Sequence, residues 1–459
     1  MTTLQLISPI DGSVYATRES ASFETVMTAI DRARKAQAMW KRHPLGERIE
    51  VVRGFLAALL AMGDDIVPEL AWQMGRPIRY GGEFGGVKER GEYMLGVAAK
   101  ALAPLEIEDS DAFKRAIVRE PLGVVMVIAP WNYPFLTAIN TIVPALVAGN
   151  AVVLKHATQT LLAGERFQQA AERSNLPPGL FVNLAIDHVV TEAVLAAGAV
   201  NFVNFTGSVG GGKAIERAAA GTFTGIGLEL GGKDPGYVME DADLPRAVET
   251  LIDGAMFNSG QCCCGIERIY VAEPLFDQFV DRAVELVEAY KLGNPLDSET
   301  TLGPMAQARF AALVREQTAE AVAKGARALI DPGLFVADGP GTAYLAPQLL
   351  VGVDHTMRVM REESFGPVVG IMKVKDDAEA IALMNDSDFG LTASLWTADR
   401  ARAERIGREI ETGTVFMNRC DYLDPALCWT GCKDTGRGAS LSVLGYHGLT
   451  RPKSFHLRA

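Results

Sequence analysis

The feature that most constrains this chain is the alternation between residues 151 and 230. Four short apolar runs, AVVLK (151–155), LFVNLA (180–185), NFVNFT (201–206) and IGLEL (226–230), read as strands. Between them, 160–173, 191–197 and 209–220 carry apolar residues at helical spacing. Strands that are apolar along their whole length belong inside a sheet covered on both faces, and strand–helix–strand repeats make that sheet parallel. The predicted class is α/β.

The flanks extend this picture. The first hundred residues read mainly as helices, among them Phe23–Trp40, with Ser22 as N-cap, and 46–61. Residues 116–128 (AIVREPLGVVMVI) read as a β-rich pair of runs around a Pro-Leu-Gly turn. A second α/β segment covers about 232–433, with helices at 244–257 and 274–290 and strands at 268–271, 393–396 and 414–418. The end, TRPKSFHLRA (450–459), alternates weakly and is either a strand donated to another subunit or a frayed tail. A chain of 459 residues at roughly 100–200 residues per domain predicts two or three domains.

Composition excludes several roles. A net charge of −12, with both signs mixed along the chain, lacks the basic face of a nucleic-acid binder. The most apolar stretch, 135–149, contains Asn140 and Pro144 and falls short of the roughly 20 residues that span a bilayer. MTTLQLISPIDG is no export signal, so the expectation is a soluble cytoplasmic protein. Six cysteines are too few for a disulfide scaffold. Three are consecutive with no histidine nearby, unlike the spaced ligands of zinc sites, so no metal is expected.

Four segments carry candidate chemistry. In FNSGQCCC (257–264), a thiol in a turn after a helix is either a small buried hydrophobe or a nucleophile, and a nucleophile needs a lowered pKa or a base. Glu229 ends an apolar strand before two glycines, as a turn residue or a general base. FTGSVGGGK (205–213) runs from a strand through glycines into a helix, whose N-terminus and backbone N–H groups suit phosphate. In PWNYP (130–134), Asn132 is either turn chemistry or an amide aimed at a developing oxyanion.

Taken in order and spacing, PWNYP, VVLK, FTGSVGGGK, LELGGKDP, FNSGQCCC, EESFGPVV and GCKDTG resemble the aldehyde dehydrogenase superfamily over essentially the whole chain. The Glu of LELGG followed 34 residues later by the cysteine of a GQxC motif is its most specific part. The resemblance implies a Rossmann-like NAD(P)-binding domain (1–110 and 129–231), a second α/β catalytic domain (232–436) and a small β oligomerisation arm (111–128 and 437–459). It implies Cys263 as nucleophile, Glu229 as general base and Asn132 as oxyanion donor. Its cofactor contacts fall on Trp131, Lys155, Thr158, Gly207, Ser208, Gly212, Leu230, Glu363 and Phe365. Residues flanking the motifs, Tyr133, Phe135, Thr137, Cys262, Cys264, Leu423 and Trp429, are the expected substrate contacts, with an apolar or aromatic aldehyde favoured over an aminoaldehyde or semialdehyde. Homodimers or homotetramers are implied. The rivals are a CoA-acylating enzyme, which commonly lacks the Glu, a cysteine esterase, and a non-catalytic protein of the same fold.

Two departures stand out. After VVLK the family usually continues with Pro and places a Glu two further on; here the run is His156-Ala157-Thr158. That Glu repels a 2′-phosphate, so Thr158 predicts tolerance of NADP beside NAD. In CWTGCKDTGRGAS, Ala439-Ser440 replace the usual Arg-Glu.

Overall fold

The computed structural model describes residues 2–458. Its centre is a six-stranded sheet in the order Gly436–Arg437, Gly225–Glu229, Phe202–Thr206, Val124–Ala129, Ala151–His156, Phe181–Asn183. All its strands run parallel except Gly436–Arg437. Val124–Ala129 and Ala151–His156 are buried along their whole length, as the runs predict for a sheet covered on both faces. Pro134–Ala148, Phe84–Ala101, Phe23–Trp40 and Leu45–Leu60 are among the helices that supply the cover. A second sheet of seven strands, Arg327–Ala328, Gln348–Val351, Val368–Val374, Ile266–Ala272, Asp234–Val238, Thr392–Trp396 and Thr414–Met417, is parallel apart from its first edge strand.

Register brings the first sheet's functional segments to one edge. Ala129 lies beside His156, Ile128 beside Phe205, and Thr206 beside Glu229. Segments 130–132, 156–158, 207–208 and 230–231 therefore leave the carboxyl ends of neighbouring strands, where open parallel sheets bind ligands.

Three features differ from the sequence reading. Residues 111–128 do not all belong to one β arm. Phe113–Pro121 pairs with Leu105–Asp109 and with Thr450–Arg458, whereas Val124–Ala129 enters the central sheet. The chain crosses at Gly123 (φ 132°), where Asn150 and Asn201 accept from the N–H groups of Gly123 and Val124. The tail Thr450–Arg458 is a full strand of that small sheet, but the residues just before it belong elsewhere. Gly436–Arg437 closes the central sheet, and helix Ser442–Gly448 packs on helices Phe84–Ala101 and Pro134–Ala148. The N-terminal segment also holds a hairpin, Thr3–Ile7 with Val14–Glu19.

Candidate active site

Cys263 follows helix Leu244–Met256 through a strained turn. Asn258 and Ser259 have φ of 54° and 57°, a left-handed conformation that non-glycine residues hold only when the surroundings enforce it. Those surroundings are specific. Gln261 accepts from the N–H of Ala306 at 2.7 Å, Ser259 donates to the carbonyl of Gly303 at 2.7 Å, and a Cβ on Gly260 would lie 2.2 Å from the carbonyl oxygen of Gly366. Gly232 has a similar duty: a Cβ there would sit 2.4 Å from the carbonyl oxygen of Cys263. The second glycine of LELGG thus lets the strand that ends in Glu229 approach the cysteine turn.

Asn132 is tied to the same turn. Its Nδ2 donates to the carbonyl of Gln261 at 3.2 Å, leaving the second N–H of that amide free. Its own carbonyl accepts from Arg76 at 2.5 Å. Arg76 pairs with Glu83 at 2.8 Å and also donates to Asn258 at 3.2 Å. Glu83 in turn accepts the N–H groups of Phe135 and Leu136, at the start of helix Pro134–Ala148. Burial pushes Glu83 up, and Arg76 opposes it. Sequence reading missed this clamp, because nothing in the linear spacing joins Arg76, Glu83 and Asn258.

Two cavities meet at the cysteine. One, about 270 Å³, is lined by residues that include Trp131, Asn132, Gly207, Ser208, Glu363 and Phe365. The other, about 170 Å³, has among its walls Arg90, Tyr133, Leu136, Asn140, Leu423 and Trp429. Cys263, Glu229, Leu230, Thr137 and Thr206 line both. Trp131 stacks on Phe310 at 5.3 Å and meets Phe365 edge-on at 5.6 Å, which shapes one wall of the first cavity. Burial pushes Glu363 up to about 8; it accepts the N–H of Gly232 at 2.9 Å.

Among the predicted cofactor residues, Trp131, Gly207, Ser208, Leu230, Glu363 and Phe365 line the first cavity. Gly212 packs instead against Leu230, whose side chain a Cβ would meet at 2.8 Å. Lys155 ends the neighbouring strand with its ammonium buried; burial lowers it to about 8, and none of the described residues forms a salt bridge with it. Thr158 lines a separate cleft beside Ser8, Asp11 and Tyr344. Of the predicted substrate residues, Tyr133, Thr137, Cys262, Cys264, Leu423 and Trp429 line the second cavity. Phe135 does not. It is fully buried against Phe84 and Phe167, because one residue into a helix the side chain turns to the core, and Leu136 takes the wall.

The sulfurs of Cys262, Cys263 and Cys264 lie within 4.8 Å of one another, a spacing a metal ion also accepts and the argument from linear spacing overlooked. Asp421 accepts from Cys262 at 3.1 Å and Cys264 at 3.0 Å. The thiol of Cys262, then that of Cys264, holds Cys263 down to about 6, while the nucleophile's proximity drives Cys262 up to about 12. Burial pushes Asp421 well above the usual carboxylate range. Glu229 is raised by burial too, with Ser440, Arg90 and Thr206 offsetting part. A thiol poised to ionise beside a carboxyl poised to accept a proton is a nucleophile–base arrangement.

A profile of the aldehyde dehydrogenase family matches residues 1–455. The chain is 31% identical to a succinate-semialdehyde dehydrogenase [NADP(+)] of Deinococcus radiodurans, covering 97% of this chain and 93% of that one. It is 34% identical to an aldehyde dehydrogenase of Paenarthrobacter nicotinovorans, with 96% of each covered. A solved NADP-dependent glyceraldehyde-3-phosphate dehydrogenase from Bacillus halodurans C-125, complexed with NADP, superposes with a TM-score of 0.92 at 32% identity. That match covers 100% of this chain and 96% of the other. The chain belongs to the aldehyde dehydrogenase family. Within it, the activity class is NAD(P)-dependent oxidation of an aldehyde.

Proposed function

We propose that this chain converts an aldehyde to a carboxylic acid through a thioester on Cys263, hydrolysed by water that Glu229 activates. The observation that carries the reading is that Cys263 and Glu229 alone supply a nucleophile and a base to both cavities where they meet.

The first cavity fits NAD or NADP. Gly207 lines it, and the lack of a side chain on Gly207 and Gly211 makes room for the Phe205 ring, which a Cβ would strike at 2.7 or 2.6 Å. Helix Val209–Ala219, capped by Ser208, starts there, and its free N–H groups suit a pyrophosphate. The unpaired ammonium of Lys155 suits ribose hydroxyls. Trp131, Leu230, Glu363 and Phe365 would hold the ribose and nicotinamide next to the sulfur. The nicotinamide, when bound, supplies the two-electron acceptor for the aldehyde carbon.

The chain's own groups do the rest. Cys263, ionised near neutrality, attacks the aldehyde carbon. The spare N–H of Asn132 and the backbone N–H of Cys263 stabilise the oxyanion of the thiohemiacetal, and loss of one such donor typically costs about 10²–10³-fold in rate. Once the carbon is oxidised, the thioester remains. Glu229, raised by burial, takes a proton from water, and attack of that water releases the acid. Tyr133, Leu136, Thr137, Leu423 and Trp429 would wall the body of the aldehyde. Apolar walls would hold the hydrocarbon part of the aldehyde, and the Deinococcus radiodurans relative is named for a semialdehyde. The same reading includes a homodimer or homotetramer and a soluble enzyme; no helix among the described residues is long and apolar enough to cross a membrane.

The test is rapid mixing with NAD and NADP, with product identified as acid or acyl-CoA. Cys263→Ala should bind cofactor and turn nothing over. Glu229→Gln should give a burst of reduced cofactor followed by a slow phase. Undiminished turnover by Cys263→Ala overturns the reading.

A further inference from the structure

Helix Phe84–Ala101 buries Val87, Gly91, Met94, Leu95 and Ala98 along one stripe, and Arg90 stands in that stripe. It is 7% exposed. Arginines are almost never that buried unless paired. The other two buried arginines obey the rule: Arg76 pairs with Glu83, and Arg268 donates to the carbonyls of Lys233, Leu383 and Met384 at 2.8–3.1 Å. Arg90 does not. Among the described residues it has no ion pair, and its only hydrogen bonds run from Nη1 to the Leu136 carbonyl and to Asn140 Oδ1, both 3.4 Å long. Nε and Nη2 donate to no protein atom.

The guanidinium lines the second cavity with Cys263 and Glu229. Two carboxyl groups share that cavity, and among the described residues neither forms a salt bridge with it. Asp421 is engaged by the thiols of Cys262 and Cys264, and Glu229 accepts from Thr206 at 3.4 Å. Burial raises both, and Arg90 is among the groups that pull Glu229 back down. What remains is a buried guanidinium whose Nε and Nη2 are unbonded among the described residues, a planar fork of donors lining the space next to Cys263. Such a fork matches a carboxylate with two parallel hydrogen bonds. A single positive charge is balanced by a singly charged carboxylate, whereas a phosphate would leave excess negative charge in a buried site.

We propose that Arg90 binds a carboxylate at the far end of the substrate, so that the pocket selects the semialdehyde of a dicarboxylic acid over neutral, cationic or phosphorylated aldehydes. The inference rests on the reading that Cys263 oxidises an aldehyde. Asn140, by accepting from Nη1, fixes the plane of the guanidinium and leaves its own Nδ2 for the second carboxylate oxygen.

The experiment measures kcat and KM of the full chain with succinic semialdehyde, its neutral isostere 4-methylpentanal, 3-aminopropanal and glyceraldehyde 3-phosphate. Succinic semialdehyde should lead in kcat/KM. In Arg90→Met, its advantage over 4-methylpentanal should shrink about 100-fold, through KM, the size expected for a charged hydrogen-bonded contact. Arg90→Lys should restore part of that advantage. Preference for any other member of the panel overturns the proposal. So does an Arg90→Met variant that loses all aldehydes alike with a shifted pH profile, because Arg90 would then act through Cys263 or Glu229. A second measurement needs no variant: glutarate should shield Cys263 of the unaltered enzyme from iodoacetamide and glutaramide should not, and equal shielding overturns the proposal. If no aldehyde reduces cofactor, the Cys263 reading fails by itself, and the shielding result still decides the Arg90 site.

Discussion

At the scale of single residues, the centre of this site is a question of which thiol ionises. Three cysteines and Asp421 share one buried volume, and low dielectric allows few charges there. Hydrogen bonds from the thiols of Cys262 and Cys264 hold Cys263 down, and Cys262 is held up in turn. An acid with a lowered pKa is ionised above that pKa. The rate of Cys263 alkylation by iodoacetamide should therefore rise through about pH 6 and level off well below the ordinary thiol range of about 8.5. Cys262→Ala should move that midpoint upward. A midpoint near 8.5 in the unaltered enzyme would show that the neighbours do not act this way. Thr158 carries a second prediction: Thr158→Glu should weaken NADP far more than NAD, by about tenfold or more, through repulsion of the 2′-phosphate. Equal effects on both cofactors, read from their KM values, would place Thr158 away from the ribose. Cys263, Glu229 and Asn132 were legible because short motifs name them. Phe135 was misassigned and Arg90 missed because a side chain's direction depends on where its helix starts and which face is covered.

At the scale of elements, the site depends on a clamp between two loops. Arg76, held by Glu83, grips the backbone carbonyl of Asn132 and the side chain of Asn258, so the Asn132 loop and the cysteine turn are tied together. Both members of the pair are almost fully buried. Removing one partner of such a pair leaves a lone buried charge and typically costs about 3–5 kcal/mol. Glu83→Gln should lower the urea midpoint accordingly and reduce kcat more than cofactor affinity. Unchanged stability would mean that Arg76 finds another partner. The alternation of strands in the first sheet was readable from apolar runs. The 111–128 segment was not, because local alternation says that a run is extended but not which strand it pairs with. Gly123 and the amides of Asn150 and Asn201 route the chain from one sheet to another.

At the scale of the whole molecule, the sheet of Leu105–Asp109, Phe113–Pro121 and Thr450–Arg458 stands out by what it leaves uncovered. Leu105, Ile107 and Leu457 are more than half exposed and Phe455 is exposed, with Phe455 and Leu457 sharing one face of the sheet and Leu105 on the other. Exposed apolar side chains on an open edge strand fit contact with another copy. A Phe455→Asp, Leu457→Asp double variant should shift the species seen by light scattering towards monomer at unchanged helix content. A chain that is already monomeric before substitution would remove the premise.

The order of apolar runs along the chain determined the class of fold, since burial of strands and helices follows directly from local periodicity. Short motifs likewise marked Cys263, Glu229 and Asn132 as the candidates for nucleophile, base and oxyanion amide, because such chemistry needs particular side chains at sharp turns. Tertiary structure alone decided that Cys263, and not Cys262 or Cys264, lines both cavities, that Arg76 and Glu83 hold the site, and that Arg90 has no salt bridge among the described residues. Each of those depends on distances between residues far apart in sequence and on loss of solvent around them, and neither quantity is written in a linear string.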